Sequence, residues 1–400
     1  MAGLFDPLTL RGVTLRNRIG VSPMVQLSAI DGFAADWHLV HLGARAAGGA
    51  ALVMTEATAV EARGRICSND LGIWKDDHVA GLKKITNFIR GEGAVPGIQL
   101  GHGGRKASYA PSFNSDGMQP LIQLTEEQGA WPVIGASPIP FDEHSPMPVE
   151  MTHHDIEVVL NAYSEAAIRA DAAGFDWIEV HAAHGYLPHC FYSPISNART
   201  DEYGGTFKNR IRFVRQIASR VRAVWPDAKV LAFRLSYTDW LDGGWTIEET
   251  VELAKLLKSD GVDLIDVSSG GSSAKTVPLM RQMRHEKVGK QHGDKDPVAE
   301  IPIGPSYQVP GAEAVRHGAD IPVAAVGLIT ESKQANDIIE NEQADMVMLA
   351  RAVLRNPNWP QTAAIELDQT DRIRIPVQYY LAWKDSGEFS YIPVSAPTLE

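Results

Sequence analysis

The chain has 400 residues, 44% hydrophobic and 22% charged, the composition of an ordinary soluble globular protein. A formal charge of −12 and a pI near 5.6 argue against a nucleic-acid partner, whose phosphates would be repelled. No apolar run approaches the ~18 residues of a membrane span, the opening MAGLFDPLTLRG has no secretory signal region, and Cys67 and Cys190 make neither a CxxC pair nor a metal cluster, so a cytoplasmic setting with no membrane and no metal is expected.

Residues 4–18 alternate apolar and polar side chains around Arg11-Gly12, which predicts a short hairpin lying as a lid over one end of a core. A strand over 19–25 follows, ending in Pro23-Met24. A helix near 37–47 leads through Gly48-Gly49 into a buried strand over 50–60 that turns polar at Thr55, Glu56 and Thr58. Val79, Leu82, Ile85 and Ile89 space an amphipathic helix over 76–91, and VPGIQLGH over 95–102 is again apolar first and polar last. Residues 103–150 break this rhythm. Pro132, Pro138, Pro140, Pro146 and Pro148 exclude a long helix there, and a connection of that length is usually functional or lid-like. Thr152 followed by Asp155 predicts a helix N-terminus. That helix runs to about Ala173, and Gly174 ends it before a strand over 176–180.

In the second half, helices over 208–224, 246–259, 311–317 and 331–341 alternate with strands over 229–236, 262–269, 322–328 and 345–350. With the earlier strands this predicts a single α/β domain, a (β/α)8 TIM barrel with long loops after strands three and six. A doubly wound sheet would show a dinucleotide fingerprint after an early strand, and no GxGxxG, P-loop or HExxH occurs.

The working residues of such a barrel sit at the C-terminal ends of its strands. Those ends carry Pro23-Met24, Ala57-Thr58, Gln99, Arg234, Gly327 and Ala350-Arg351. The fourth is the densest, where an apolar strand breaks into His181, His184 and Tyr186 within six residues. Two imidazoles can donate hydrogen bonds to an oxygen that gains negative charge, and a phenol can deliver a proton nearby. Each histidine taken alone reads first as a satisfied structural residue, and the combination with Tyr186 points to chemistry. Gly327 and Ala350-Arg351 close strands seven and eight, where barrels commonly bind phosphate, although Arg351 would serve as well in a surface salt bridge. The amide of Gln99 can bond a flat heterocycle or satisfy a buried carbonyl. No Ser or Cys nucleophile beside a base and no carboxylate pair is evident, so the inventory suits a bound phosphorylated cofactor.

Over roughly residues 4–383 the chain resembles the Old Yellow Enzyme family of FMN-dependent ene-reductases. The likeness is carried by LFDPLTL, LRNRI, SPM, HAAHGYL, SNARTDEYGGTFKNRIRF and GLIT…ADMVMLARAVLRNPNW, and it is strongest to the bacterial xenobiotic-reductase or thermophilic-like branch, which carries His–His. The resemblance implies an FMN-binding barrel over 1–383 and a tail over 384–400. It implies that Pro23, Met24, Val25, Ala57, Gln99, Arg234, Gly327, Ala350 and Arg351 line the flavin, with Arg234 near its N1/O2 side. It implies that His181 and His184 hold a substrate carbonyl oxygen, that Tyr186 protonates carbon alpha, and that Leu27 and Trp383 touch substrate. NADPH or NADH would reduce the FMN and leave. Hydride would then pass from flavin N5 to the beta carbon of a small activated alkene, an unsaturated carbonyl or nitro compound. A homo-oligomer, dimer or tetramer, is implied as well.

Departures from the branch are visible. Val25 and Leu27 stand where it usually has Cys and Tyr, and Leu381 stands where a tail arginine often reaches a neighbouring subunit. Residues 272–300 are longer than the usual loop and hold Arg281, Arg284 and Lys287 in a local basic excess, which would meet the 2′-phosphate of NADPH or serve only as a solvated loop. Two other readings remain open here. A dienoyl-CoA reductase relative would need an iron–sulfur cluster and a further C-terminal region, against which two cysteines and a chain ending at 400 argue. A non-redox barrel holding a phosphorylated metabolite would be colourless.

Overall fold

The computed structural model describes residues 2–111, 113–114, 117–118, 122–276 and 301–384. Eight strands close a parallel barrel: Ile19–Val21, Leu52–Ala59, Val95–Gly101, Trp177–Ala182, Val230–Ser236, Leu264–Ser268, Val323–Ala325 and Met346–Leu349. Each pairs with the next in chain order, and the eighth returns to the first through Val347↔Ile19 and Leu349↔Val21. Helices follow the strands as the alternation predicts, among them Asp36–Ala47, His78–Gly91, His153–Ala172, Arg212–Val224, Ile247–Ser259, Val309–Ala319 and Ser332–Glu340. Among the described residues, no helix is long and apolar enough to cross a membrane.

Local chemistry explains where the elements start, stop and bend. Thr152 caps its helix reciprocally: its hydroxyl accepts from the Asp155 N–H (3.1 Å), and the Asp155 carboxylate accepts from the Thr152 N–H (3.0 Å). Thr152→Ala is expected to cost about 1 kcal/mol, read as a lower urea midpoint with unchanged slope. The predicted helix over 208–224 is instead two, Phe207–Arg210 and Arg212–Val224, divided at the buried Ile211. Strand one is also shorter than expected. Ser22 N–H still bonds Leu349 O (2.9 Å), but Pro23 has no N–H to continue the ladder. Strand two carries a register shift between Met54 and Ala57, which leaves one extra residue against strand three. Glu56 in that irregular stretch accepts from the Gln26 N–H (2.7 Å) and lies 2.9 Å from His38 Nε2, so it ties down the chain leaving strand one.

The two ends of the barrel differ. Leu8–Leu10 and Val13–Leu15 form the predicted hairpin, and Val13 and Leu15 pack on Trp177, Val230, Leu264 and Met346 at the N-terminal end of the strands. The opposite end collects the polar residues. There His184 (φ 59°) and Gly185 (φ 75°) are consecutive left-handed residues, so the chain turns sharply straight after strand four. A Cβ on Gly185 would stand 2.3 Å from Gly271 O, a close approach that only glycine permits.

Candidate active site

Strand four places His181 on the barrel wall, laddered to Arg234 of strand five, and Arg234 is laddered in turn to Asp266 of strand six. The sharp turn brings His184 back onto His181, with ring centroids 5.1 Å apart and planes at 90°. Tyr186 meets the other side of His181 edge-on at 4.8 Å. Of the three side chains singled out in sequence, His181 thus touches both of the others. Burial, and then the nearby Arg234, hold both imidazoles well below the ordinary histidine range, so both are neutral at pH 7.

Neutrality fixes the hydrogens through the bonding pattern. His181 Nδ1 accepts from the Ala183 N–H (3.3 Å), which leaves its own hydrogen on Nε2, 3.3 Å from His184 Nδ1. The His184 hydrogen then lies on Nε2 and donates to Ser268 Oγ (2.7 Å). Gln308 accepts from both Ser268 (3.2 Å) and Ser269 (2.6 Å). Each imidazole therefore carries one N–H whose direction the surroundings set.

Lys106, not predicted from sequence, supports this cluster. Its ammonium donates to His184 O (2.8 Å) and Gly271 O (3.1 Å) and stands 4.9 Å from the centre of the Tyr186 ring. Burial, with Arg105 beside it, brings Lys106 down to about 8. Its signal was the basic pair in GHGGRKA directly after strand three, but no spacing links that segment to the turn after strand four. Glu179 and Asp266 were also missed, although an acid inside an apolar strand was visible in both WIEVH and LIDVS. Both carboxyls are fully buried, and burial pushes both upward; for Glu179, Asp266 adds to the rise.

The residues expected to line a flavin fall on the same end of the barrel. Gln99 is paired in register with both Ala57 and Glu179, and its amide donates to the Glu179 carboxyl (2.7 Å). Arg234 donates to Ser22 Oγ (3.2 Å) and lies 3.5 Å from Asp266, which holds it beside the segment bearing Pro23, Met24, Val25 and Leu27. Its buried Nε is the atom that faces Asp266, in an ion pair rather than a hydrogen bond. A buried guanidinium at this end of the barrel suits a carbonyl-rich or anionic group. Gly327 (φ 118°) follows strand seven, while Ala350 and the exposed Arg351 follow strand eight. Tyr307, half-buried, feels both Arg234 and Arg351. This set of donors fits FMN. Trp383 is half-buried in the short helix Tyr380–Lys384. The basic residues Arg281, Arg284 and Lys287 and the tail beyond 384 lie outside the described residues.

Known proteins share this fold and sequence. An NADPH dehydrogenase from Geobacillus sp. (strain WCH70) is 45% identical over 383 residues, 95% of this chain and 98% of that protein. By fold, a 2-naphthoyl-CoA reductase bound to 2-naphthoyl-CoA aligns with TM-score 0.75 at 24% identity over 93% of this chain; the chain spans about half of that protein, 53%. A morphinone reductase in complex with tetrahydroNAD aligns with TM-score 0.71 at 22% identity over 94% of this chain and 93% of that one. The family profile for NADH:flavin oxidoreductase / NADH oxidase matches residues 3–370. The chain belongs to that family, the Old Yellow Enzyme family, and is an NAD(P)H:flavin oxidoreductase that uses FMN.

Proposed function

We propose that the protein is an ene-reductase for small α,β-unsaturated carbonyl or nitro compounds. The observation that carries this is the grouping, after strand four, of two neutral imidazoles in contact with each other and a phenol against one of them. FMN, when bound, supplies the hydride chemistry, accepting hydride from NADPH or NADH and delivering it to the beta carbon of the alkene.

The residues supply the rest. Gln99, Arg234, Gly327, Ala350 and Arg351, with the segment through Pro23, Met24, Val25 and Ala57, would hold the FMN, and Arg234 would balance negative charge at the pyrimidine edge. His181 and His184 would donate to the substrate oxygen, drawing their N–H groups away from His184 Nδ1 and Ser268, their present acceptors. Neutral donors suit this task because they strengthen as the oxygen gains charge yet need no counter-ion in the free site. Tyr186 would protonate carbon alpha, and Leu27 and Trp383 would border the substrate. The barrel over 1–383 and the homo-oligomer belong to the same reading and rest on the family resemblance, and the cytoplasmic setting rests on the composition and the two cysteines.

A phenolate mimics the enolate oxygen, so a phenolic ligand reports on the two donors. His181→Ala and His184→Ala are each expected to weaken its binding by about 3 kcal/mol, roughly 10²-fold. Titration of the flavin absorbance measures this, and affinity equal to the parent in both variants would remove the oxygen-holding role. The same preparations, reduced anaerobically with NADPH, should be reoxidised by an activated alkene with formation of its saturated product.

A further inference from the structure

Asp70 is a carboxyl that the chemistry above leaves unused. It follows strand two and is 1% exposed. One oxygen, Oδ2, accepts from the backbone N–H groups of Ile66 (2.7 Å) and Cys67 (3.1 Å), while Oδ1 is buried with no partner among the described residues. A bare oxygen on a buried carboxylate is costly unless it carries or shares a proton. Asp70 lines a narrow cleft, with about 10 Å³ open to water, together with Ala57, His102, His181 and Tyr186. Asp70 and Tyr186 therefore share a small cleft whose volume is about that of a single water.

We propose that Asp70 returns a proton to Tyr186 after each turnover, through water in the cleft they share. The inference rests on Tyr186 being the donor to carbon alpha. When Tyr186 gives up its proton, a new C–H bond forms on the substrate and a phenolate remains. The Asp70 carboxylic acid protonates a bridging water as that water protonates the phenolate, which restores Tyr–OH and leaves an Asp70 carboxylate. Bulk solvent then supplies one proton to Asp70. No electrons move in these steps, and the charge balances at each.

The surroundings favour this direction. Burial, and then the Asp70 charge, push the Tyr186 phenol upward, so the phenolate is a strong base. Burial, and then Glu56, push Asp70 up to about 7, against its two backbone hydrogen bonds and Arg65. Asp70 is thus partly protonated near neutrality and is a much stronger acid than the phenol it serves. The groups facing it are Glu56 on strand two, Arg65 and Cys67 on its own segment, and His102, His181 and Tyr186 across the cleft. Lys106, over the Tyr186 face, adds a cation that eases the transient phenolate. Above about pH 7 Asp70 has no proton to return, so turnover limited by this step falls as pH rises.

Asp70→Asn keeps an oxygen for Ile66 and Cys67 but has no transferable acid proton. In the FMN-loaded variant, flavin reduction by NADPH and the first turnover with alkene are expected to match the parent. Steady-state turnover should fall about tenfold or more, and the parent's loss of rate near pH 7 should disappear. Infrared difference spectra should show a protonated carboxyl titrating near pH 7 in the parent and not in Asp70→Asn. If Asp70→Asn turns over like the parent at every pH while Tyr186→Phe is slow in its first turnover, the relay is wrong and the donor role of Tyr186 stands. If Tyr186→Phe reduces alkene in its first turnover as fast as the parent, the donor role fails and the relay with it. A parent whose steady-state rate has no break near pH 7, and no such infrared band, overturns the relay without any variant.

Discussion

Tyr186→Phe is expected to slow reoxidation of the reduced flavin by an activated alkene about 10²–10⁴-fold, the worth of a positioned proton donor, while reduction by NADPH stays nearly intact. The substitution is narrow. Tyr186 caps the helix Leu187–Tyr192 and presses its ring against His181 at 4.8 Å and beneath the Lys106 ammonium at 4.9 Å. Phenylalanine keeps the ring and both contacts and loses only the hydroxyl. Stopped-flow absorbance of the flavin separates the two half-reactions. Equal slowing of both would mean that the hydroxyl shapes the site and donates no proton to the alkene.

Arg199→Ala should lower folding stability by about 3 kcal/mol, which urea unfolding at neutral pH would read directly. Arg199 lies in the SNARTDEYGG segment, the most idiosyncratic of the chain, yet its guanidinium meets protein on every side. Nη1 donates to Ala136 O (3.1 Å) and Met151 O (2.7 Å), and Nη2 donates to Asp201 (2.5 Å). Removing it strips two buried carbonyls of their donor and leaves Asp201 with only the Tyr203 N–H (3.0 Å) and the exposed His153 (3.4 Å). The variant also has a pH signature. Arg199's hydrogen bonds hold the Asp201 carboxyl below its ordinary 3.8 despite burial. A depressed carboxylate contributes stability above its unfolded value and loses it as pH falls through the folded one. The gap between parent and variant should therefore narrow on acidification through that range. A gap that stays constant would locate the effect in the two carbonyls alone.

That segment shows how far a sequence can be read. Its residues carried the family resemblance, and they build a clasp: Asn197 donates to Tyr203 O (2.8 Å), and a Cβ on Gly204 would stand 2.1 Å from Arg199 O. The barrel was legible because alternating strands and helices are a local, periodic signal. His181, His184 and Tyr186 were legible because they lie on one turn. Lys106, Ser268 and Asp70 were not, because each reaches that turn from a distant segment and only closure of the barrel brings them together. Strand one was overextended because a central apolar run outvoted Pro23, whose missing amide ends the ladder.

The hairpin under the barrel has a kinetic consequence. Val13 and Leu15 pack against Trp177 and Met346, which closes that end of the barrel among the described residues. On the proposed function, nicotinamide and alkene are therefore expected to reach the FMN from the opposite end and to exclude each other there. Double-reciprocal plots of rate against alkene at several NADPH concentrations should then run parallel, and a large excess of either compound should block the other. Intersecting lines would require a second way in.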